Sequence, residues 1–140
     1  MASILSNSLF KYMANGSVDF DTDTFKCMLL NNSYTPSKSH DYLNDVNSYE
    51  VSGTGYTAGG NAATPTISAV DNVNNRVEIS WSIASWTTAT ITAAYGAIYK
   101  SRGGAASADE LIGILDFGGN QTSTAGTFTI TVSTNMRFQN

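Results

Sequence analysis

The feature that most constrains the fold is a strict alternation of apolar and polar residues in short runs along the chain. The clearest run covers residues 76–83, where Val77, Ile79, Trp81 and Ile83 alternate with polar residues. A period of two places these side chains on one face of a β-strand. Other runs rich in β-branched or aromatic residues predict further strands at 24–31, 64–70, 87–92, 95–100, 111–117 and 127–132. Turn-forming residues separate the runs, which is typical of antiparallel β proteins.

One short helix is predicted before the strands. Ser3 or Ser6 can cap its start, and Asn15 followed by Gly16 is a good stop. The apolar residues that would share its buried face are Ile4, Leu5, Leu9, Phe10 and Met13. A helix of this length is stable only when it docks on the rest of the protein.

About seven strands after one short helix predict a mainly β fold, either an antiparallel β-sandwich or an open barrel. The 140 residues suit a single domain over 1–140, and the sequence contains no internal repeat and no linker. A chain of this size buries roughly two-thirds of the surface that its unfolded form exposes. It can therefore build a core without metals or disulfides, although the order of the strands does not follow from the sequence.

Charge and cysteine content exclude several classes of protein. Charged residues make up 13% of the chain and the net charge is −4, with seven basic residues that form no cluster. Nucleic-acid binding rests on clustered Lys and Arg, so a nucleic-acid partner is not expected, and neither is adhesion to an anionic membrane. The single cysteine, Cys27, allows no intrachain disulfide. No signal peptide is recognisable in residues 1–10, and no apolar stretch has the length of a membrane span.

The residues with nucleophilic or basic chemistry do not form a convincing catalytic set. The chain has one histidine, His40, and one thiol, Cys27, so a Cys–His pair would need both. Cys27 falls on the apolar face of a predicted strand, where a free cysteine behaves as a small hydrophobic residue. His40 lies in a loop, where a hydrogen bond to backbone is the expected role. No enzymatic activity is therefore predicted.

Patterns typical of metal and cofactor sites are incomplete. Asp19, Asp21 and Asp23 alternate as in a calcium loop, but the glycine and glutamate that such a loop needs are missing. Residues 53–58 match a loose dinucleotide-binding fingerprint, but they do not connect a strand to a helix. The remaining candidates for a carboxylate pair are Asp45, Glu50, Asp109, Glu110 and Asp116. Nothing in the sequence brings two of these together, so no cofactor, metal site or catalytic residue is predicted.

Three segments are predicted to contact other protein chains: the aperiodic loop 32–61, the loop 101–109 and the N-terminal helix. Long loops inside a compact domain are uncommon and are often binding surfaces. The residues chosen as partner contacts are Tyr34, Pro36, His40, Tyr42, Tyr49, Tyr56 and Arg102. The aromatic residues Trp81, Trp86, Tyr95 and Tyr99 are expected in the core or in a subunit interface, although they could also line a sugar-binding face.

The succession of motifs resembles a family of small structural proteins of tailed bacteriophages. The motifs, in chain order, are Lys26 with Leu29-Leu30, Tyr34-Thr35-Pro36, His40-Asp41-Tyr42-Leu43, Asp45-Val46, Ser52-Gly53-Thr54-Gly55-Tyr56, Trp86-Thr87, Ala89-Thr90-Ile91-Thr92-Ala93, Ala97-Ile98-Tyr99-Lys100, Leu111-Ile112, Asp116-Phe117-Gly118 and Phe128-Thr129-Ile130. They span most of the chain up to about residue 132, whereas the polar tail 133–140 departs from the family pattern. The resemblance implies a virion component without catalytic residues, made in the bacterial cytoplasm.

The leading functional prediction is a capsid decoration or cement subunit that stabilises the head by contacts with other virion proteins, above all the major capsid protein. Such subunits are commonly homo-oligomers with cyclic symmetry. One alternative is a tail or neck component such as a fibre-attachment piece. Another is a carbohydrate-binding module that contacts the host surface through Trp81, Trp86 or the tyrosines.

Overall fold

The chain folds into one seven-stranded antiparallel sheet that curls into a half-barrel, with one short helix near its N-terminus. The structure is a computed structural model that describes residues 2–140, so Met1, the first residue of the segment searched for a signal peptide, lies outside it. The strands are β1 (Ala2–Leu5), β2 (Phe25–Leu30), β3 (Asn61–Ile67), β4 (Arg76–Ile83), β5 (Trp86–Lys100), β6 (Leu111–Phe128) and β7 (Met136–Gln139); the helix is α1 (Ser8–Ala14). The predicted mainly β fold is confirmed, in its open-barrel form.

The strand order is β1-β6-β5-β2-β3-β4-β7, so β1 and β7 are the two edges of the sheet. Curling brings these edges towards each other. A small apolar cleft between them is lined by Ile4 and Leu5 of β1, by Met136 of β7 and by Val132 before it. The half-barrel is therefore nearly closed on this side by side chains rather than by backbone hydrogen bonds.

Strand β4 has the bounds that the alternation predicts, and Ile79, Trp81 and Ile83 are buried on its inner face. The turn before it is stabilised by Asp71, whose Oδ1 accepts hydrogen bonds from the amides of Val73 and Asn74, both at 3.0 Å. Asp and Asn favour such turns because their side chains replace missing backbone partners. Local sequence therefore determines the β3–β4 hairpin.

The two longest strands were each predicted as shorter pieces. Residues 87–92 and 95–100 belong to one strand, β5, and the turn-forming residues between the predicted strands 111–117 and 127–132 lie within β6. Register shifts in the β5–β6 ladder accommodate the extra residues as β-bulges, and Gly118 and Gly119 take positive φ angles there. Turn-forming residues therefore bend this hairpin without ending it. The predicted strand at 127–132 was wrong as a separate element, because β6 ends at Phe128.

The two ends of the chain also differ from prediction. Residues Ala2–Leu5 form an edge strand instead of the first turn of a helix, α1 starts at Ser8, and Phe10 is 59% exposed. The polar tail 133–140, where no strand was predicted, contains β7, which pairs with β4. Its Arg137 donates to Glu78 on β4 at 3.0 Å. Neighbouring strands, which local sequence does not reveal, determine both edges.

Apolar side chains form two clusters, one on each face of the sheet. The inner cluster fills the half-barrel and includes Cys27, Trp81, Trp86 and the helix residue Leu9. A register shift between Ala93 and Tyr95 reverses which residues of β5 point inward. The outer cluster consists of Met28, Leu30, Tyr34, Leu43, Val46, Ala97, Tyr99, Leu111 and Ile114. The strand residues of this cluster would be exposed to solvent on the outer face of the sheet, and residues 31–50 cover them.

Candidate functional site

The three segments predicted to contact partners are joined to one another by hydrogen bonds, except for residues 51–61 of the first segment. Residues 31–50 cover the outer cluster and touch the loop 101–110, where the amide of Leu43 donates to the carbonyl of Asp109 at 2.9 Å. Two short 3₁₀ turns, Leu43–Asp45 and one following it, stiffen the first loop. We call the surface formed by 31–50, 101–110 and α1 the loop platform.

The start of α1 is fastened to the middle of the loop 31–50. Ser6 Oγ donates to the carbonyl of His40 at 2.7 Å, and Tyr12 Oη donates to the carbonyl of Asp41 at 3.0 Å. The amide of Asn7 adds a bond of 2.8 Å to the loop backbone. The helix is only seven residues long, so docking of this kind is what stabilises it. Helix and loop therefore form one surface.

Tyr34 anchors the loop platform to the sheet. Its side chain is 2% exposed, and its ring contacts those of Tyr49 and Tyr95 edge-on, with centroids 5.4 and 5.5 Å away. Its hydroxyl lies 2.8 Å from Nδ1 of His40. Burial raises the pKa of Tyr34 to about 12, so the hydroxyl stays protonated. Tyr34 therefore positions the loop from below, whereas the sequence prediction placed it among the residues that touch a partner.

Asp45 holds the turn at the centre of the platform. Its Oδ2 accepts hydrogen bonds from the amides of Asp41 and Tyr42, at 2.9 and 3.3 Å. The bond from the Asp41 amide is the largest cause of the lowered pKa of Asp45. The pKa of Asp41 is raised, first by burial and then by the neighbouring Asp45 carboxylate. Asp45 therefore stabilises the loop by accepting hydrogen bonds from its backbone amides.

The other predicted contact residues are divided between two places. Pro36, His40, Tyr42 and Tyr49 are half-buried on the loop platform, where a partner could reach them. Arg102 is exposed at its margin. The platform therefore brings these residues together, while their contact with a partner stays a prediction.

Tyr56 lies outside the platform, because the predicted loop 32–61 divides near Glu50. Its hydroxyl accepts from the amide of Leu29 at 3.1 Å and donates to Glu50 Oε1 at 2.8 Å. Burial raises the pKa of Tyr56 well above its usual range. The residues after Glu50 pack against β2 and β5, so Tyr56 fixes this second loop to the sheet.

Two ion pairs fix the loop 101–110 and the turn after α1: the first lies within that loop, and the second joins the turn to β5. Arg102 binds both carboxylate oxygens of Glu110, with Nε 2.9 Å from Oε2, and only 5% of Glu110 is exposed. Nζ of Lys100 lies 2.8 Å from Oδ2 of Asp23 and donates to the carbonyl of Ser17 at 2.7 Å. Bidentate pairing of arginine with a carboxylate gives a defined geometry. Arg102 was predicted as a partner contact, and its guanidinium group already pairs with Glu110 within the chain.

The Lys100–Asp23 pair makes stability depend on pH. Burial alone would raise the pKa of Asp23, but hydrogen bonds from Lys100 and from the Asp19 amide outweigh it and lower the pKa below 3.8. A carboxylate with a lowered pKa stabilises the fold above its unfolded pKa, and this contribution is lost as the pH falls through the folded value. We expect Asp23→Asn to cost about 1 kcal/mol near neutral pH and almost nothing at about pH 2.

Urea unfolding of the two proteins at both pH values measures this difference. Asp21→Asn is the matched control, because Asp21 is exposed and its carboxylate has no hydrogen-bond or ion-pair partner within residues 2–140. An equal loss of stability for Asp23→Asn at both pH values would contradict the role of its charge.

The residues considered for catalysis or metal binding are buried or hydrogen-bonded within the fold. Cys27 is fully buried in the inner cluster, and burial raises its pKa to about 12, so it is a thiol at neutral pH. His40 lies on the platform, and its Nδ1 is taken up by Tyr34. Asp19 and Asp23 accept hydrogen bonds from amides of their own turn. Within residues 2–140, no group of three or more His, Cys, Asp or Glu side chains could hold a metal ion.

The two tryptophans do not form the exposed platform that sugar binding would use. Trp86 is 2% exposed and Trp81 is 7% exposed. Trp81 packs edge-on against Phe25 and donates its indole hydrogen to Sδ of Met136 at 2.8 Å. Both tryptophans therefore belong to the core, which is one of the two places expected from the sequence.

The comparisons with known proteins add no relative to this description. No family model, curated protein or solved structure matches the chain. None of the helices within residues 2–140 has the length and apolar character to cross a membrane. The resemblance to structural proteins of tailed phages stays a prediction from the residue pattern.

Proposed function

We propose that this chain is a structural subunit of a tailed-phage virion, which binds neighbouring virion proteins through the loop platform. The observation that carries the proposal is the convergence of loop 31–50, loop 101–110 and α1 on one fixed surface. The most specific form of the proposal is a decoration or cement subunit on the capsid. The family resemblance of the sequence supports this form, and the platform supplies a surface for it.

The rigidity of the platform favours binding. Residues 31–50 would be a flexible loop without Tyr34, Asp45 and their partners. A loop that is ordered before it meets a partner does not lose further conformational entropy on binding. Each contact of a decoration subunit can then be modest, because many copies bind one shell and their effects combine.

The exposed side chains of the platform favour a protein as the partner. Many of them carry amides or hydroxyls, including Asn44, Asn47 and Ser48, while half-buried Pro36 and Tyr49 add apolar contact area. A surface of this kind has the mixed character of protein interfaces. Nucleic acid would need an excess of basic residues, but the acidic residues of the platform outnumber Lys11, Lys38 and Arg102. The carbohydrate-binding alternative is not favoured, because both tryptophans are in the core.

Gold-antibody labelling of purified virions, viewed in negative stain, tests the location. Label spread over the heads is expected for a decoration subunit. Label at the tail or neck would keep the structural role and exclude the capsid role. Unlabelled particles, with the antibody reacting in lysates, would overturn the proposal.

A substitution on the platform tests the surface itself. Asn44 is exposed in the first 3₁₀ turn and its side chain has no hydrogen bond. We expect Asn44→Arg to weaken binding to shells of the major capsid protein by about tenfold, because a bulky charge replaces a small amide at the contact. Asn72→Arg, at the exposed β3–β4 turn, is the matched control and should bind like the wild type. Co-sedimentation with shells measures both, and equal binding by the two variants would show that the partner contacts another surface.

A further inference from the structure

Charged residues are distributed very unevenly along the chain. All seven basic and all eleven acidic residues lie outside three stretches, 51–70, 79–99 and 117–136. These stretches contain the second loop, most of β4 and β5, and the second half of β6. A chain with a net charge of −4 thus keeps a large part of its sequence free of charge.

The fold brings parts of these three stretches together at the end of the β5–β6 hairpin that lies beyond β2. The amide of Thr90 on β5 donates to the carbonyl of Thr54 in the second loop at 2.9 Å. Across the hairpin, the hydroxyls of Thr92 and Thr122 are 2.9 Å apart. We call this region, formed by 51–60, 86–93 and 117–131, the uncharged end.

One strand edge at the uncharged end is open. Strand β1 pairs with β6 only from Gly113 to Asp116, and beyond that point β6 pairs only with β5 within residues 2–140. A groove of about 410 Å³ runs beside the open edge, and its walls are uncharged. Its lining includes Phe117, Gln121, Ser123, Phe128, Thr129 and Thr131.

Open edges are normally protected, because unpaired backbone groups invite another strand. Lysine, proline and charged side chains are the usual protection, and β7 carries Arg137. From 117 to 136 the chain has neither a charged residue nor a proline. The bulges of β6 shorten the regular part of the edge to about residues 121–124. The open edge is therefore only a few residues long.

We propose that the uncharged end is the contact between two copies of this chain, with the open edges of β6 lying antiparallel around a twofold axis. An antiparallel strand pair is self-complementary, so the same edge serves both copies. The contact lies away from the loop platform, which stays free for a different partner. The inference is independent of the virion role, because it concerns the purified protein alone.

Charge favours a second copy over a different partner. Two copies carry the same net charge and repel when charged surfaces approach within about 10 Å. A contact between uncharged surfaces avoids that repulsion, and interface cores are generally depleted of charged residues. A basic partner would instead be attracted to acidic side chains, which this region lacks. The region is therefore suited to a like-charged neighbour.

Sedimentation equilibrium of the full chain, with and without one substitution, tests the inference. We expect the wild type to associate to twice its 14.9 kDa mass as concentration rises. Thr124→Lys puts a lysine on the exposed open edge of each copy and should weaken the association by tenfold or more, on the order of 1.4 kcal/mol. Thr22→Lys, in the exposed turn before β2, is the matched control and should associate like the wild type.

Cross-linking identifies the strand. Thr122→Cys lies near the centre of the proposed strand pair, next to its own copy, and should form an intermolecular disulfide under mild oxidation, whereas Thr22→Cys should not; Cys27 is buried and does not interfere. A wild type that stays monomeric at all concentrations would overturn the inference. So would equal association by Thr124→Lys and the wild type. A monomer whose groove binds a neutral oligosaccharide would replace the inference with a sugar site.

Discussion

Gly60→Ala is expected to destabilise the fold by about 3 kcal/mol or more, the largest effect of a single methyl group in this chain. Gly60 has a φ of +78°, which an L side chain rarely adopts. A Cβ atom there would also overlap the carbonyl oxygen of Cys27 in β2. The clash is with backbone in the middle of the sheet, so it cannot be relieved by a side-chain rotation.

Urea denaturation followed by tryptophan fluorescence measures the loss, because Trp81 and Trp86 report on the inner cluster. Gly104→Ala is the matched control: Gly104 lies in the exposed loop 101–110, and a Cβ there meets nothing within 4 Å. Its free energy of unfolding should stay within about 0.5 kcal/mol of the wild type. A loss below about 1 kcal/mol for Gly60→Ala would mean that the second loop moves away from β2 without cost to the sheet.

The same loop explains a motif that the sequence left without a role. Residues 53–58 resemble a dinucleotide-binding fingerprint, and the structure gives the glycines a different purpose. Gly55 has a φ of +80°, and a Cβ on Gly53 would overlap the carbonyl oxygen of Thr90. The glycines let the loop lie directly on β5, where Thr54 accepts a hydrogen bond from the Thr90 amide. Close backbone approach is one of the commonest reasons for glycine at a fixed position.

Local pattern predicted the elements whose structure depends on neighbours in sequence. Strand β4 has the predicted bounds because its alternation and its Asp71 turn are both local. Bulges were not predictable, since turn-forming residues in β6 look the same whether the strand ends or bends. Gly118 and Gly119 bend it because β5 continues alongside and keeps pairing. The edge strands β1 and β7 also depend on partners distant in sequence.

The candidate site was predictable as a set of segments but not as an arrangement. Aperiodic loops indicated where contacts could lie, and the fold then brought 31–50, 101–110 and α1 together. Single residues were harder to assign. Tyr34 and Arg102 belong to residue types that are common in interfaces. Tyr34 is buried, however, and supports the loop, while Arg102 already pairs with Glu110 within the chain. Residue type does not distinguish a side chain that touches a partner from one that holds the surface in place.

Tyr34→Ala is expected to cost about 3–4 kcal/mol and to loosen the loop platform before the rest of the sheet. The substitution removes a buried ring that contacts Tyr49, Tyr95 and His40. A cavity under residues 31–50 would leave their cover of the outer cluster incomplete. Hydrogen exchange should therefore speed up at the amides of 31–50, while the β5–β6 hairpin stays protected.

Tyr34→Phe separates packing from hydrogen bonding in this anchor. It keeps the ring and removes only the bond to Nδ1 of His40, so the expected loss is about 1 kcal/mol with little change in exchange. In the shell co-sedimentation assay, the Ala variant should bind poorly and the Phe variant nearly normally, because ordering of the platform precedes binding. An Ala variant that exchanges slowly over 31–50 would show that the loop is held by its own hydrogen bonds. Asp45 and Ser6 would then be the anchors of the platform, and Tyr34 only a filler of the outer cluster.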